Sequence, residues 1–253
     1  MKKNKYRLQK DSLGSVKVPT KAYYGAQTQR AIDNFKISGI MFDPIFIQSL
    51  ANLKTACALA NQKCGVMTKT KSACISSISK KIANNTINYM DHFPIDIFQT
   101  GSGTSTNMNM NEVISGIAKK DLKKEIHPND DVNMSQSSND VIPTTINISC
   151  VSMSKILSSA MDFLSIAINE KANELSDIIK SGRTHLMDAV PISFEQELLV
   201  WQEQVRASKT NIEISCEENS YLPIGGTAIG TGINSPKSFS KYVCSELNIL
   251  YKE

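Results

Sequence analysis

VIPTTINISCVSMSKILSSAMDFLSIAINEKANELSDI, residues 141–178, decides the fold class. Ile146, Cys150, Met153, Leu157, Ala160, Leu164 and Ala167 recur in steps of four and three, the spacing that lines one seam of a helix. From Val141 to about Ile178 such a helix is ~55 Å long at ~1.5 Å per residue. Phe194, Leu198, Trp201, Val205, Ser208 and Ile212 repeat the pattern, which predicts two long helices packed side by side across a loop from Ser181 to Pro191. Their apolar stripes are wider than one seam covers, so further bundle helices are expected from other subunits, a separate chain or a missing C-terminal part.

Toward the N-terminus, Pro44 to about Gly65 and Lys69 to about Met90 read as an apolar-periodic pair ended by Gly65 and Pro94. A third helix is expected after the polar segment Gln99–Asn111. Lys10–Lys21, with Gly14 and Pro19, reads as an extended arm or small hairpin. Ser235–Glu253 opens on a Ser-Pro helix-entry signal and sets Phe239, Val243, Leu247 and Leu250 on one face, with no stop signal. The chain is therefore read as mainly α, divided into a helical domain over residues 1–136 and a partial helical bundle over 137–253.

The 253 residues are 41% hydrophobic and 21% charged, a globular composition rather than a disordered one. The net charge of +4 is concentrated at the start, where eight bases and one acid precede residue 31, leaving 20 bases against 23 acids. A mildly acidic body lacks the basic face that nucleic acid requires. The longest uncharged run, Asn219–Pro236, is rich in Gly, Asn, Ser and Thr and does not suit a bilayer, and the N-terminus has no apolar signal region. Six scattered cysteines without a C-x-x-C pair point to reduced thiols in the cytoplasm, with no metal site.

Three polar islands carry the chemistry. Thr100–Asn107, TGSGTSTN, stands before a helical run; its glycines permit close backbone approach, and a helix N-terminus adds free N–H groups and partial positive charge. It lacks the third glycine of a dinucleotide fingerprint and the Gly-Lys-Ser of a P-loop. His127–Asp140, HPNDDVNMSQSSND, leads into the long helix, where Ser138 or Asn139 can cap the helix or present donors to a carboxylate. Ser181–Asp188, SGRTHLMD, sets Thr184 beside His185 between the two bundle helices.

GSGTSTNMNMNEV, HPNDDVNMSQSSND, SGRTHLMDAVP and IGGTAIGTGIN, in this order, closely resemble the class II fumarase branch of the fumarase/aspartase superfamily. YRLQKDSLGSVKVP and YYGAQTQRAIDNF look like that family's opening, so the likeness covers essentially the whole chain. The resemblance implies an N-terminal lyase domain followed by the first long helices of a central bundle, in a homotetramer whose active sites draw on three subunits. Ser102, Gly103 and Thr104 would hold one carboxylate of a small dicarboxylate, with Ser137, Ser138 and Asn139 completing the pocket and Thr184 contributing from another subunit. His185 matches the family's catalytic histidine. Lys124, His127, Pro128, Asn129 and Asp130 match a secondary dicarboxylate site, Lys124 standing where relatives often carry arginine.

The implied reaction is reversible hydration of fumarate to (S)-malate, without cofactor or metal. In the malate-to-fumarate direction, removal of a C–H proton leaves a dianionic aci-carboxylate that needs dense hydrogen-bond donors. Aspartate ammonia-lyase is the rival reading; such enzymes usually have Gln at position 185 and Asn at 127. Against the family, this sequence ends before a mobile Ser-Ser-x-Met-Pro-x-Lys-x-Asn loop that supplies a serine base and substrate-gripping Lys and Asn. The resemblance thus implies a truncated chain, inactive alone: part of an active fumarase, half of a split enzyme joined by a C-terminal chain, or a non-catalytic remnant. Met134, Met187 and Glu195 replace a usual Lys, Gln and Gly.

Overall fold

A computed structural model describes residues 5–251; Lys2 and Lys3 of the basic leader and the last two positions of the expected final helix, Lys252 and Glu253, lie outside the described residues. The arm is a hairpin that starts earlier than the sequence suggests: β1 (Tyr6–Asp11) pairs antiparallel with β2 (Gly14–Pro19), Tyr6 opposite Pro19 and Asp11 opposite Gly14. Arg30 grips Asp11 through Nε and one NH2 nitrogen at 2.8 and 3.0 Å, tying the hairpin to α1 (Ala26–Asn34).

Helix α2 (Pro44–Lys63) begins where Asp43 accepts a hydrogen bond from the Ile45 N–H at 2.7 Å and Pro44 occupies the first turn. Its partner α3 (Lys69–Asn84) is capped by Thr68 and stops short of the expected Met90. Asn85 leaves helical geometry at φ −135°, and only the single turn α4 (Thr86–Tyr89) and a 3-10 turn at Met90–His92 follow. Helix α5 (Thr104–Asp121) starts inside the polar segment rather than after it. Its Asn107, Asn109 and Asn111 are buried, and each donates its side-chain amide to a protein acceptor, which lets an amide-rich stretch enter a core.

The long helix α6 spans Ser138–Glu174, three residues earlier at its start and four at its end than the heptad reading. It is followed by β3 (Ile179–Thr184), β4 (Met187–Ser193), α7 (Phe194–Glu218) and α8 (Phe239–Tyr251). Contacts divide the chain into two compact units, one holding residues up to Ser149 and from Leu222 onward, the other Cys150–Tyr221. In the first unit Leu50, Leu53, Ile75, Ile82, Val113, Ile114, Ile117 and Val141 form one core with Phe239, Val243 and Leu247. Helix α8 therefore packs on α2, and its Glu246 pairs with Lys63 at 2.5 Å.

In the second unit the expected loop Ser181–Pro191 is an antiparallel hairpin with a bulge at Gly182. His185 and Leu186 form its two-residue turn at φ +53° and +61°, the pair of left-handed residues whose twist matches that of the flanking strands. The turn escaped the sequence reading because it lacks the Asn-Gly or Asp-Gly signature. Helix α7 opens with a capping box between Ser193 and Gln196. It pairs with α6 through Lys209 to both Asp162 oxygens at 2.7 Å and Gln202 Nε2 to the Ser165 carbonyl at 3.0 Å. Leu157, Leu164 and Trp201 of the two seams stay about half exposed. By length and composition alone α6 would also suit a membrane span, but its mid-helix Asp162 answers a lysine of α7.

Gly116 of α5 lies so close to the hairpin-to-α1 connection that a β-carbon there would stand 2.0 Å from the Tyr23 carbonyl oxygen. Alanine normally stabilises a helix interior by roughly 0.5–1 kcal/mol over glycine. Gly116→Ala is expected to reverse that sign and destabilise the chain by about 1–3 kcal/mol, read as a lower midpoint in thermal or urea unfolding.

Candidate active site

Gly103 sits at φ +67° immediately before α5, a left-handed position that ends the loop and starts the helix. A β-carbon at Gly103 would lie 2.9 Å from two carbons of the Ile142 side chain, so glycine also allows the loop to close on the first turns of α6. Ser102 Oγ and Thr104 Oγ1 share a hydrogen bond of 2.6 Å, and the Gly103 N–H donates to the Thr100 carbonyl at 2.8 Å. The loop thus presents two hydroxyls at a helix start whose Ser105 and Thr106 N–H groups donate to Thr100 Oγ1 at 3.3 Å and Gln99 Oε1 at 2.8 Å.

Ser137, Ser138 and Asn139 stand at the start of α6. The two islands meet directly: Asn107 Nδ2 of α5 donates to Ser138 Oγ at 3.0 Å. Two helix N-termini, each with partial positive charge, therefore lie side by side. Asp140, 1% exposed, organises the segment behind them. Its Oδ1 accepts from the Ser137 N–H at 2.9 Å, and its Oδ2 accepts from the Gly225 and Thr227 N–H groups at 3.0 and 2.9 Å. Asn139 Nδ2 donates to the Ala228 carbonyl at 2.7 Å. The IGGTAIGTGIN segment, motif material without an assigned role in the sequence, is thereby docked on the same helix start. Thr227 holds φ +55° there, costly for a β-branched residue.

Beneath Ser138 lies an amide network that the sequence reading missed. Asn133 Oδ1 accepts from Asn107 Nδ2 at 3.0 Å, from Asn111 Nδ2 at 3.3 Å and from Lys54 Nζ at 3.1 Å. Lys54 also donates to Gln136 Oε1 at 2.9 Å and is fully buried. Burial pulls its ammonium down to about 8, against the opposing pull of Cys57 and Asp140. The available signal was a lone lysine inside the apolar run LANLKTACALAN, with Asn61 seven residues on, on the same helix face. Asn61 Nδ2 donates to the Met134 carbonyl of the same turn at 2.9 Å.

The residues assigned to a secondary site lie on a separate turn. His127 Nδ1 accepts from the Asp130 N–H at 3.0 Å and so caps the turn Pro128–Val132. His127 and Pro128 line an open cleft of about 1050 Å³ with Arg7, Lys71, Lys120 and Lys123. Lys123, at φ +54°, lines this cleft, while Lys124, Asn129 and Asp130 are exposed beside it. Lys71 is held by Asp131 at 2.7 Å. Thr184 and His185 belong to the second unit, exposed at the tip of its hairpin, where Arg183 faces Asp188 at 3.4 Å. Among the described residues, no three His, Cys, Asp or Glu side chains gather as a metal site.

A family model described as "Lyase" matches residues 14–252. The class II fumarate hydratase of Xylella fastidiosa is 44% identical, covering 98% of this chain and 52% of that protein, and that of Prochlorococcus marinus is 46% identical over 95% and 53%. The crystal structure of class II fumarase from Schistosoma mansoni superposes with a TM-score of 0.87 at 35% identity, covering 98% of this chain and 55% of that one. A fumarate lyase:delta crystallin from Brucella melitensis gives 0.90 at 38% identity, over 97% and 55%. The chain spans about half the length of the curated relatives it matches.

Replacing Asp140 by alanine would strip three backbone N–H groups of their acceptor. Asp140→Ala is expected to cost about 2–5 kcal/mol in urea unfolding and to open the 224–234 segment to limited proteolysis before the rest of the first unit.

Proposed function

The chain belongs to this lyase family, and from that premise we propose that it serves a fumarate hydratase-type lyase, binding fumarate or malate where α5 and α6 begin. The carrying observation is the 3.0 Å hydrogen bond from Asn107 Nδ2 to Ser138 Oγ, which joins two helix N-termini lined by Ser102, Thr104, Ser137 and Asn139. A carboxylate suits that cradle on charge and on donor count.

Hydration adds a water hydroxyl to one alkene carbon and a proton to the other; the reverse step removes the C–H proton first and leaves the dianionic aci-carboxylate. In this reading the serine and threonine hydroxyls hold that charge, helped by the partial positive charge of the two helix N-termini, each well-aimed donor lowering the barrier by ~3–4 kcal/mol. Thr184 and His185, on their exposed hairpin, complete the site of another subunit, His185 exchanging a proton directly or through water. Lys124 and His127–Asp130 form the secondary dicarboxylate site.

Exposed apolar side chains along α6 and α7, Ile156, Phe163 and Val200 among them, support a homotetramer or a pairing with a C-terminal half chain, since such stripes are rarely left to water. Turnover is assigned to that assembly, because the chain spans about half the length of its relatives. Six free thiols support a cytoplasmic setting, and the substrate chemistry supports a step of the tricarboxylic acid cycle.

The test is an assay of this chain alone and mixed with the C-terminal half of a class II fumarase. No turnover by the chain alone, malate from fumarate on mixing, and no ammonia from aspartate are expected. Ammonia release without malate turnover would transfer the chain to the aspartase reading, and no gain on mixing would remove the split-enzyme arrangement.

A further inference from the structure

Lys54 is a buried cation of the first unit with, among the described residues, no carboxylate within hydrogen-bond reach. Its two partners are neutral amide oxygens, Asn133 Oδ1 and Gln136 Oε1, at 3.1 and 2.9 Å. A buried charge held this way is expensive, and a hydrophobic residue at this α2 position would pack as the neighbouring Leu50, Leu53 and Cys57 do. What the ammonium supplies is direction. It can only donate, so Asn133 and Gln136 must turn their oxygens to it. Asn133 Oδ1 is then an acceptor for every other neighbour, and Asn107 and Asn111 must turn their nitrogens to it, at 3.0 and 3.3 Å. The second hydrogen of Asn107 Nδ2 reaches Ser138 Oγ at 3.0 Å. With that lone pair engaged, the Ser138 hydroxyl hydrogen is left to be given away.

We infer that Lys54 is a positioning residue of the dicarboxylate site, whose donor-only ammonium fixes the orientation of the Asn133 and Asn107 amides so that Ser138 accepts from Asn107 and offers its hydrogen to a ligand carboxylate. This deepens the reading proposed above and rests on it. The arrangement has a pH signature. The titratable groups facing the ammonium are Cys57 on its own helix and Asp140 on α6, and burial pushes the Cys57 thiol far up, keeping it neutral. Below about 8 Lys54 is charged and can only donate; above it, the neutral amine gains a lone pair and the constraint on Asn133 is lost.

The experiment titrates (S)-malate into the native chain, Lys54→Met and Leu50→Ala, each mixed with the C-terminal half of a class II fumarase, with thermal unfolding recorded for each. Leu50→Ala damages the same helix without touching the network. At about pH 7, Lys54→Met is expected to bind malate about tenfold or more weakly, while Leu50→Ala stays within about twofold of native. Native affinity is expected to fall several-fold between about pH 7 and pH 9, and Lys54→Met to show no such fall. Equal binding by native and Lys54→Met overturns the inference and leaves the dicarboxylate site standing. No binding by the native mixture overturns the site and the inference together. Should Lys54→Met not fold, the native profile decides: a flat affinity from about pH 7 to pH 9 overturns the role of the ammonium.

Discussion

Hydrogen-bonding groups shut away from water must be answered by one another, and this requirement holds the first unit in the arrangement that matters. Asp140 is where most of it converges. A carboxylate almost without exposure collects N–H groups from Ser137, Gly225 and Thr227, and so binds the start of α6 to a glycine-rich segment 85 residues further along. Glu112 does the same for α1, accepting from the Gly25, Gln27 and Thr28 N–H groups at 2.8–3.0 Å. Asp96 gathers the Ser38, Gly39 and Phe98 N–H groups and the Ser38 hydroxyl; burial opposes its charge, and these donors nevertheless hold it at about 2. In each case one anion replaces the water that three backbone donors would otherwise need.

The same accounting explains why the polar islands belong together. Gly103 lets the TGSGT loop close on Ile142, Asn107 reaches Ser138, and Asn139 reaches Ala228. The two hydrogen bonds satisfy side-chain amide N–H groups, and the joint result is a surface of hydroxyls at two adjoining helix N-termini. Such a surface is suited to an anion because two positive helix ends meet there and a lone pair of Ser138 is spent inward, on Asn107. The second unit follows a different logic. Its helices pair through Lys209, Asp162 and Gln202, while Leu186 and Val190 of the hairpin stand in solvent.

Much of the architecture could be read directly from residue order. The four-three seams predicted both long helices, Asp43-Pro44 marked the entry to α2, and the Ser-Pro signal at 235–236 anticipated α8. Two of the misses, α5 and Lys54, share one cause, a distant partner; the hairpin at 179–193 has a local one. Helix α5 was expected after Asn111 because alternating asparagines look like loop; they are helical because Asn133, Ser138 and the His92 carbonyl accept from them. The hairpin at 179–193 was expected to be a loop because His185-Leu186 is an unusual left-handed pair. Lys54 drew no notice because nothing local tells a lysine on an apolar helix that a distant asparagine will receive it.

Periodicity, caps and glycines therefore determined by themselves the mainly helical class, most helix positions and the motifs that mark this lyase family, because each depends on neighbours within a turn or two. Only the folded chain decided which donors face outward at Ser138 and which buried charge sets them so. That choice rests on contacts between residues as far apart as Lys54, Asn107 and Asn133, whose geometry no local preference encodes.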